Sequence, residues 1–125
     1  MNGFVAIDVP RVEGISVELI PPNTLKLVGT MTRKEPSTDL AGFFRLLHAD
    51  AVHRHVAVFW VDVCGLTFVN SSSIRLFIDW AAWVKAEAGH RYVLAFRTSR
   101  HVTWQTTAFS ALTSLMKECV TVERV

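Results

Sequence analysis

The spacing of apolar positions changes several times along the chain, and each change marks an element. Residues 15–20, ISVELI, alternate apolar and polar, the pattern of a half-buried strand. Pro21, Pro22 and Asn23 read as a turn, and 24–31, TLKLVGTM, alternate again. These two strands are expected to pair as a hairpin. The period then lengthens: Leu40, Phe43, Phe44, Leu47 and Ala51 recur at helical spacing, with Pro36 as a stop and Ser37 or Thr38 as the cap. Residues 56–63, VAVFWVDV, are too apolar for a surface strand and predict a central one, covered on both faces. Apolar residues at 74, 77, 78, 81 and 84 predict a second helix, with Gly89 as its C-terminal cap. Residues 91–98 read as a strand. Residues 103–118 read as a helix with Phe109, Leu112, Leu115 and Met116 inward, and 120–125 as a short last strand.

The order β-β-α-β-α-β-α-β predicts one α/β domain spanning residues 1–125. Its sheet is expected to hold about five mixed, mainly parallel strands, with an antiparallel N-terminal hairpin, right-handed crossovers and about three helices. Residues 1–13 are expected to be an edge strand or a loose arm. In such sheets, ligand and partner sites gather at the carboxyl ends of the central strands.

Composition narrows the function classes. Half of the 125 residues are hydrophobic, which predicts a compact core rather than disorder. The 13 basic and 11 acidic residues leave a net charge of +2, and the basic ones are scattered. A nucleic-acid surface wants a clustered basic face, so no nucleic-acid partner is expected. The start MNGFVAIDVPR has no basic stretch followed by a long apolar one, so secretion is not expected. The apolar runs fall far short of the ~20 residues that span a bilayer. A soluble, cytoplasmic protein without a membrane partner is the expectation. Cys64 and Cys119 belong to no CxxC pair and are expected to be free thiols.

The stretch 66–80, LTFVNSSSIRLFIDW, concentrates the candidate chemistry. Asn70 is a strong helix N-cap, and serines at 71, 72 and 73 suit a first turn whose N–H groups lack partners. A serine nucleophile needs a base and an orienter for that base. The glycines of a nucleophile elbow are absent. His48, His53 and His55 fall near the end of the first helix and its following loop, and His90 follows the second helix, so they belong at the opposite edge of the sheet. His101 is the one candidate base on the Ser71 edge. No third ligand stands near His53 and His55 at a metal spacing, and no glycine-lysine loop cradles a phosphate. Neither a metal nor a cofactor is expected. The fourth reading is a serine modified by another protein. A phosphate on Ser71 would carry roughly −1.5 to −2 charges. It would meet free N–H donors and the positive end of the helix dipole, leaving the fold intact while changing the surface.

Residues 58–89, VFWVDVCGLTFVNSSSIRLFIDWAAWVKAEAG, resemble the signature of the STAS domain of the anti-sigma-factor antagonist family. There, a strand with Asp and a short L-x-F segment lead into Asp-Ser-Ser-Gly at a helix start. Asp62, Leu66, Phe68, Ser71, Ser72 and Ile74 fall on matching positions. The resemblance is specific over about 30 residues, while the element order matches nearly the whole chain. The family's usual last helix has no counterpart before Val125.

The resemblance implies a non-enzymatic, partner-switching regulator of bacterial transcription. It would bind a serine kinase that doubles as an anti-sigma factor. That kinase would phosphorylate Ser71, with Ser72 as second choice, and a PP2C-type phosphatase would reverse the modification. Asn70 stands where the family has Asp, and Ser73 where it has Gly. Gly29-Thr30-Met31-Thr32 replaces a family segment that carries an acid. Candidate partner contacts are Asn70, Ser72, Ser73, Arg75, Asp79, Thr32 and Arg33, with Lys34 beside them. Arg75 and Asp79 are spaced to pair along one helix face. A monomer or weak homodimer is expected. Two other readings stand beside this one: an unphosphorylated scaffold of the same fold, and a small enzyme using Ser71 with His101.

Overall fold

Sheet order follows chain order in this protein, and that one feature decides where the helices go. The structure, a computed structural model, describes residues 7–31 and 38–125. The elements are β1 (Ile15–Ile20), β2 (Thr24–Met31), α1 (Thr38–His53), β3 (Val58–Val69), α2 (Ser71–Ala86), β4 (Val93–Thr98), α3 (Thr103–Leu115) and β5 (Val120–Arg124). They form a five-stranded sheet in the order β1-β2-β3-β4-β5. The β1–β2 pair is antiparallel and the other three pairs are parallel. The mixed sheet, the N-terminal hairpin and the helices are thus those the periodicity predicts. Each β-α-β step moves to the next strand in the same direction, so crossovers of one hand lay all three helices on one face.

Two adjacent rows across the sheet show the consequence. Leu19, Leu25, Val61, Phe96 and Val122 are in register from β1 to β5 and face the helices. The residues beside them, Glu18, Lys26, Asp62, Arg97 and Glu123, are equally in register and lie on the other face. Their charges alternate along the row, so every carboxylate is flanked by cations and every cation by carboxylates. Opposite charges on neighbouring strands contribute roughly 0.2–1 kcal/mol per pair. A face of this kind is at ease in water.

The expectation that 56–63 is covered on both faces is therefore corrected. Phe59, Val61 and Val63 are buried beneath the helices, whereas Val58, Trp60 and Asp62 are only half-buried on the open face. Trp60 is shielded by its neighbour instead of by a helix: the Arg97 guanidinium lies 4.7 Å from its ring centroid. The strand also starts later and runs to Val69, because β2 continues beside it as far as the Met31–Val69 pair, through two register shifts. At the first shift Gly65 faces Val28, whose side chain occupies the space a Cβ would need. Gly29 has φ +123°, and a Cβ there would collide with the Gly14 carbonyl, so neither position tolerates a side chain without movement.

The helix face is a continuous aromatic core. Phe44 meets Trp80 at 4.8 Å, Phe77 meets Phe109 at 5.4 Å and Phe96 meets Phe109 at 4.9 Å between ring centroids. Burying each such side chain contributes on the order of 1.5–3 kcal/mol. Two helix ends depart from expectation. α2 stops at Ala86, and extended Glu87 is its C-cap, not Gly89. The Glu87 carboxylate accepts the Gly89 N–H at 3.0 Å and so turns the chain out early. α3 stops at Leu115, which is 64% exposed rather than inward, while Met116 turns back against the core. Residues 7–14 form no strand; Ile7 and Val12 pack on the core, and Val12 makes an isolated bridge to Ile15.

At the amino ends of β3 and β4 a buried polar chain ties the layers together. Trp80 Nε1 donates to the Tyr92 hydroxyl at 2.8 Å, and that hydroxyl lies 2.8 Å from His48 Nδ1. His48 Nε2 lies 3.3 Å from Glu87 Oε1. One assignment satisfies all four groups: Tyr92 donates to a neutral His48, whose Nε2–H donates to Glu87. Burial lowers the His48 pKa below its usual 6.5, in keeping with the neutral ring.

Candidate functional site

β3 ends and α2 begins within two residues, and Asn70 makes that corner. Its N–H donates to Met31 O at 2.9 Å, continuing the β2–β3 ladder. Its side-chain Oδ1 accepts from Ser73 N–H at 2.8 Å, and its carbonyl accepts from Ile74 N–H at 3.0 Å. Asn70 is extended (φ −76°, ψ 170°), the conformation an N-cap adopts. One residue thus closes the strand through its backbone N–H and opens the helix through its side chain.

The three serines receive different environments from this corner. Ser71 is exposed, Ser72 is half-buried and Ser73 is buried. Ser73 spends its N–H on the cap, whereas none of the hydrogen bonds among the described residues takes the N–H of Ser71 or Ser72. These are the first two helical amides, and they carry the positive end of the dipole. α2 has no acidic side chain in its first turn. Arg75, four residues after Ser71, is exposed, as is Asp79. Among the described ion pairs none joins Arg75 to Asp79, so the pairing their spacing suggests is absent. Thr32, Arg33, Lys34 and Ser37 lie outside the described residues.

β3 overruns β4. Pairing with β4 stops at Asp62–Arg97, yet β3 runs on to Val69. Its bared edge is finished by side chains from α3. Gln105, fully buried, donates Nε2–H to Val63 O at 2.8 Å and to Leu66 O at 2.7 Å, with Cys64 O at 3.3 Å. Its Oε1 accepts the Ser99 N–H at 2.8 Å. Trp104 Nε1 donates to Thr67 O at 3.0 Å. With this edge occupied, an open groove of about 560 Å³ forms between β3 and α3, lined by Phe68, Val69, Thr103, Trp104, Thr107 and Ala108. Phe68 is 50% exposed, and Phe68 and Val69 lead directly into the Asn70 cap. An apolar groove therefore adjoins the serine run. Trp104, Gln105 and Phe68 went unnoticed in the sequence as site residues; no local pattern marks a helix residue that completes a distant strand.

The alternative chemistries find little to work with. His101 is exposed beyond the end of β4, and its one described hydrogen bond runs from its N–H to Ser99 Oγ at 3.2 Å. His48 is engaged in the buried chain, and His55 stacks near His90 at 5.1 Å, whose Nε2 lies 2.7 Å from Val56 O. His48, His55 and His90 belong to the amino-end side of the sheet, across from Ser71, whereas His101 lies on the Ser71 edge. Cys64 and Cys119 are free. Burial pushes the Cys64 thiol up to about 11, so it is no thiolate nucleophile near neutral pH. Among the described residues no group of three or more His, Cys, Asp and Glu is placed to hold a metal ion, and no helix is long and apolar enough to cross a membrane. Asp62, the acid of the STAS-like pattern, lies on the open face and accepts the Cys64 N–H at 3.0 Å. At about 3.3 Å per residue it stands roughly 25 Å of strand away from Asn70.

No protein-family model matches the chain, and neither a curated protein nor a solved structure does.

Proposed function

We propose that this chain is a partner-switching regulatory protein of the anti-sigma-factor-antagonist kind, acting in the cytoplasm, with the start of α2 as its switch. The observation that carries the reading is the exposure of Ser71 at the first position of an Asn70-capped helix, beside the apolar groove of Phe68 and Trp104. A serine kinase with an anti-sigma role would dock over this corner and transfer phosphate to the Ser71 hydroxyl. The new dianion would be received by the unpaired N–H groups of the first turn. Arg75, one turn on, is within the i,i+4 spacing at which opposite charges meet. Modification would leave the fold in place and set a negative charge against whatever had bound the groove. A PP2C-type phosphatase would restore the binding form. In this reading the protein catalyses nothing and needs no cofactor.

The test is incubation with serine kinases from the source genome, read by intact mass. One phosphate should be added to the protein and none to Ser71→Ala; equal modification of Ser71→Ala moves the acceptor elsewhere. Pull-downs with Ser71→Ala and Ser71→Asp should then recover different amounts of partner. A second reading, an unphosphorylated scaffold, is favoured by the lack of any acid in the first turn of α2. Equal recovery by the two variants would support that scaffold. Labelling of Ser71 by a fluorophosphonate would support the Ser71–His101 enzyme instead.

A further inference from the structure

The far edge of the sheet carries a second surface with a different character. β5 is the last strand in the order, so among the described residues one of its edges is unpaired. Cys119 O and Val125 N–H point to β4, where they bond Leu94 N–H at 2.8 Å and Thr98 O at 2.9 Å. Peptide groups alternate along a strand, so Val122 and Arg124 turn their N–H and C=O outward. Those same two residues line both of the open cavities at this edge, of about 550 and 400 Å³. The first is shared with Arg100; the second runs under α3 along Ser110 and Ser114 to Lys117.

Charge gives this groove a sign. Arg100, Lys117 and Arg124 are exposed, and among the described residues none of the three forms an ion pair. The acids nearest in sequence are drawn away from it. Glu118 lies 3.8 Å from Lys85, and Glu123 is held 3.2 Å from Arg97 on the open face. No acidic side chain is among the described lining residues. Ser110 of the α3 wall adds a hydroxyl group that can donate to a carboxylate, while Ser114 Oγ donates back to Ser110 O at 3.3 Å.

From the unpaired strand edge and its unneutralised cations we infer that the β5–α3 groove is a docking site for an extended acidic segment of a partner protein, which adds to the sheet beside β5. Main-chain hydrogen bonds to Val122 and Arg124 supply the register, as in other strand-addition complexes. Arg100, Lys117 and Arg124 select for carboxylates and steer the encounter. A second copy of this chain is a poorer occupant, since its own β5 edge would bring the same cations together. The inference does not depend on the role given to Ser71, which lies at the end of β3, two strands away.

The probe is a fluorescein-labelled peptide of alternating glutamate and valine, with a lysine-for-glutamate counterpart and an alternately N-methylated copy. Anisotropy should show the acidic peptide binding, more weakly as salt rises. The lysine and N-methylated peptides should not bind. Arg124→Glu and Lys117→Glu, both at exposed positions, should each weaken binding about tenfold. Amide resonances of Val122 and Arg124 should shift and gain exchange protection. The inference is overturned if the N-methylated peptide binds equally well, which leaves only charge attraction, or if the shifts map to another surface. It also fails if no peptide binds at millimolar concentration, or if light scattering shows the groove closed by a second copy.

Discussion

Gln105 Nε2 donates to Leu66 O at 2.7 Å, although the two residues belong to a helix and a strand that do not follow each other in the chain. The same amide serves Val63 O, and its oxygen takes the Ser99 N–H. One side chain therefore stands in for the segment of β4 that would otherwise pair with the end of β3. Replacing it with leucine would leave buried carbonyls and an amide without partners, at a cost of about 3 kcal/mol. Chemical denaturation of Gln105→Leu should show this as a lower midpoint with an unchanged slope. A loss below about 1 kcal/mol would mean that water already serves this edge.

How much of this was legible in the sequence follows from how far each feature reaches along the chain. The helix of Leu40, Phe43, Phe44 and Leu47 is local, and all four are buried as their spacing predicts. The Asn70 cap is local too, and the bond it makes is to Ser73 in the same turn. The two faces of β3 were not legible, because Trp60 reads as core until Arg97 is known to lie over it. The alternating row from Glu18 to Glu123 exists only once four strand registers are fixed. The groove beside Ser71 was hidden for the same reason, since it needs Trp104 of α3 against Phe68. What the sequence hid is long-range pairing, and it is there that the candidate surfaces arise.

Gly65 and Val28 offer a test of the first β3 register shift. A Cβ on Gly65 would lie 2.8 Å from Val28 Cγ2 and 3.2 Å from its Cβ, inside van der Waals contact. Gly65→Ala should cost about 1–3 kcal/mol through overpacking. Val28 is 40% exposed, so Val28→Ala alone should cost little. In the double variant the alanine gains room, and most of the Gly65→Ala loss should be recovered. Denaturation of the four proteins gives the coupling energy. Strict additivity would show that the glycine is required for its backbone and not for the space above it.

The buried chain through His48 predicts how stability responds to acid. Burial lowers the His48 pKa from 6.5; Arg45 pushes the same way, and Glu87 opposes both. Between the folded and unfolded values the unfolded chain binds the extra proton, so stability rises with pH there. The contribution is complete above pH 6.5 and is lost as pH falls below it. Glu87 is held below its usual 4.5, chiefly by the Gly89 N–H, so its own loss comes only at more acid pH. Urea unfolding between pH 6.5 and 4.5 should show declining stability in the parent and a flatter profile in His48→Gln. Parallel profiles would place the acid response in other groups. Tyr92→Phe, which orphans the Trp80 N–H and His48 Nδ1, should lower stability by about 1–3 kcal/mol even at neutral pH.

Ser71 and Ser73 separate a tolerated negative charge from a forbidden one within a single helical turn. Ser71 is exposed at the first helical position, with its own N–H and that of Ser72 unpaired among the described residues. An aspartate there faces the positive end of the α2 dipole, so Ser71→Asp should be neutral or stabilising by roughly 0.3–1 kcal/mol, with less gain at high salt. Ser73 is only 3% exposed. Ser73→Asp would bury a carboxylate against the core and should cost at least about 2 kcal/mol. Thermal melts of the two variants beside the parent decide the matter. A drop in melting temperature for Ser71→Asp comparable to that for Ser73→Asp would mean that charge at the helix start disturbs the fold itself. A switch at Ser71 would then act by unfolding the corner, instead of by changing the surface that a partner meets.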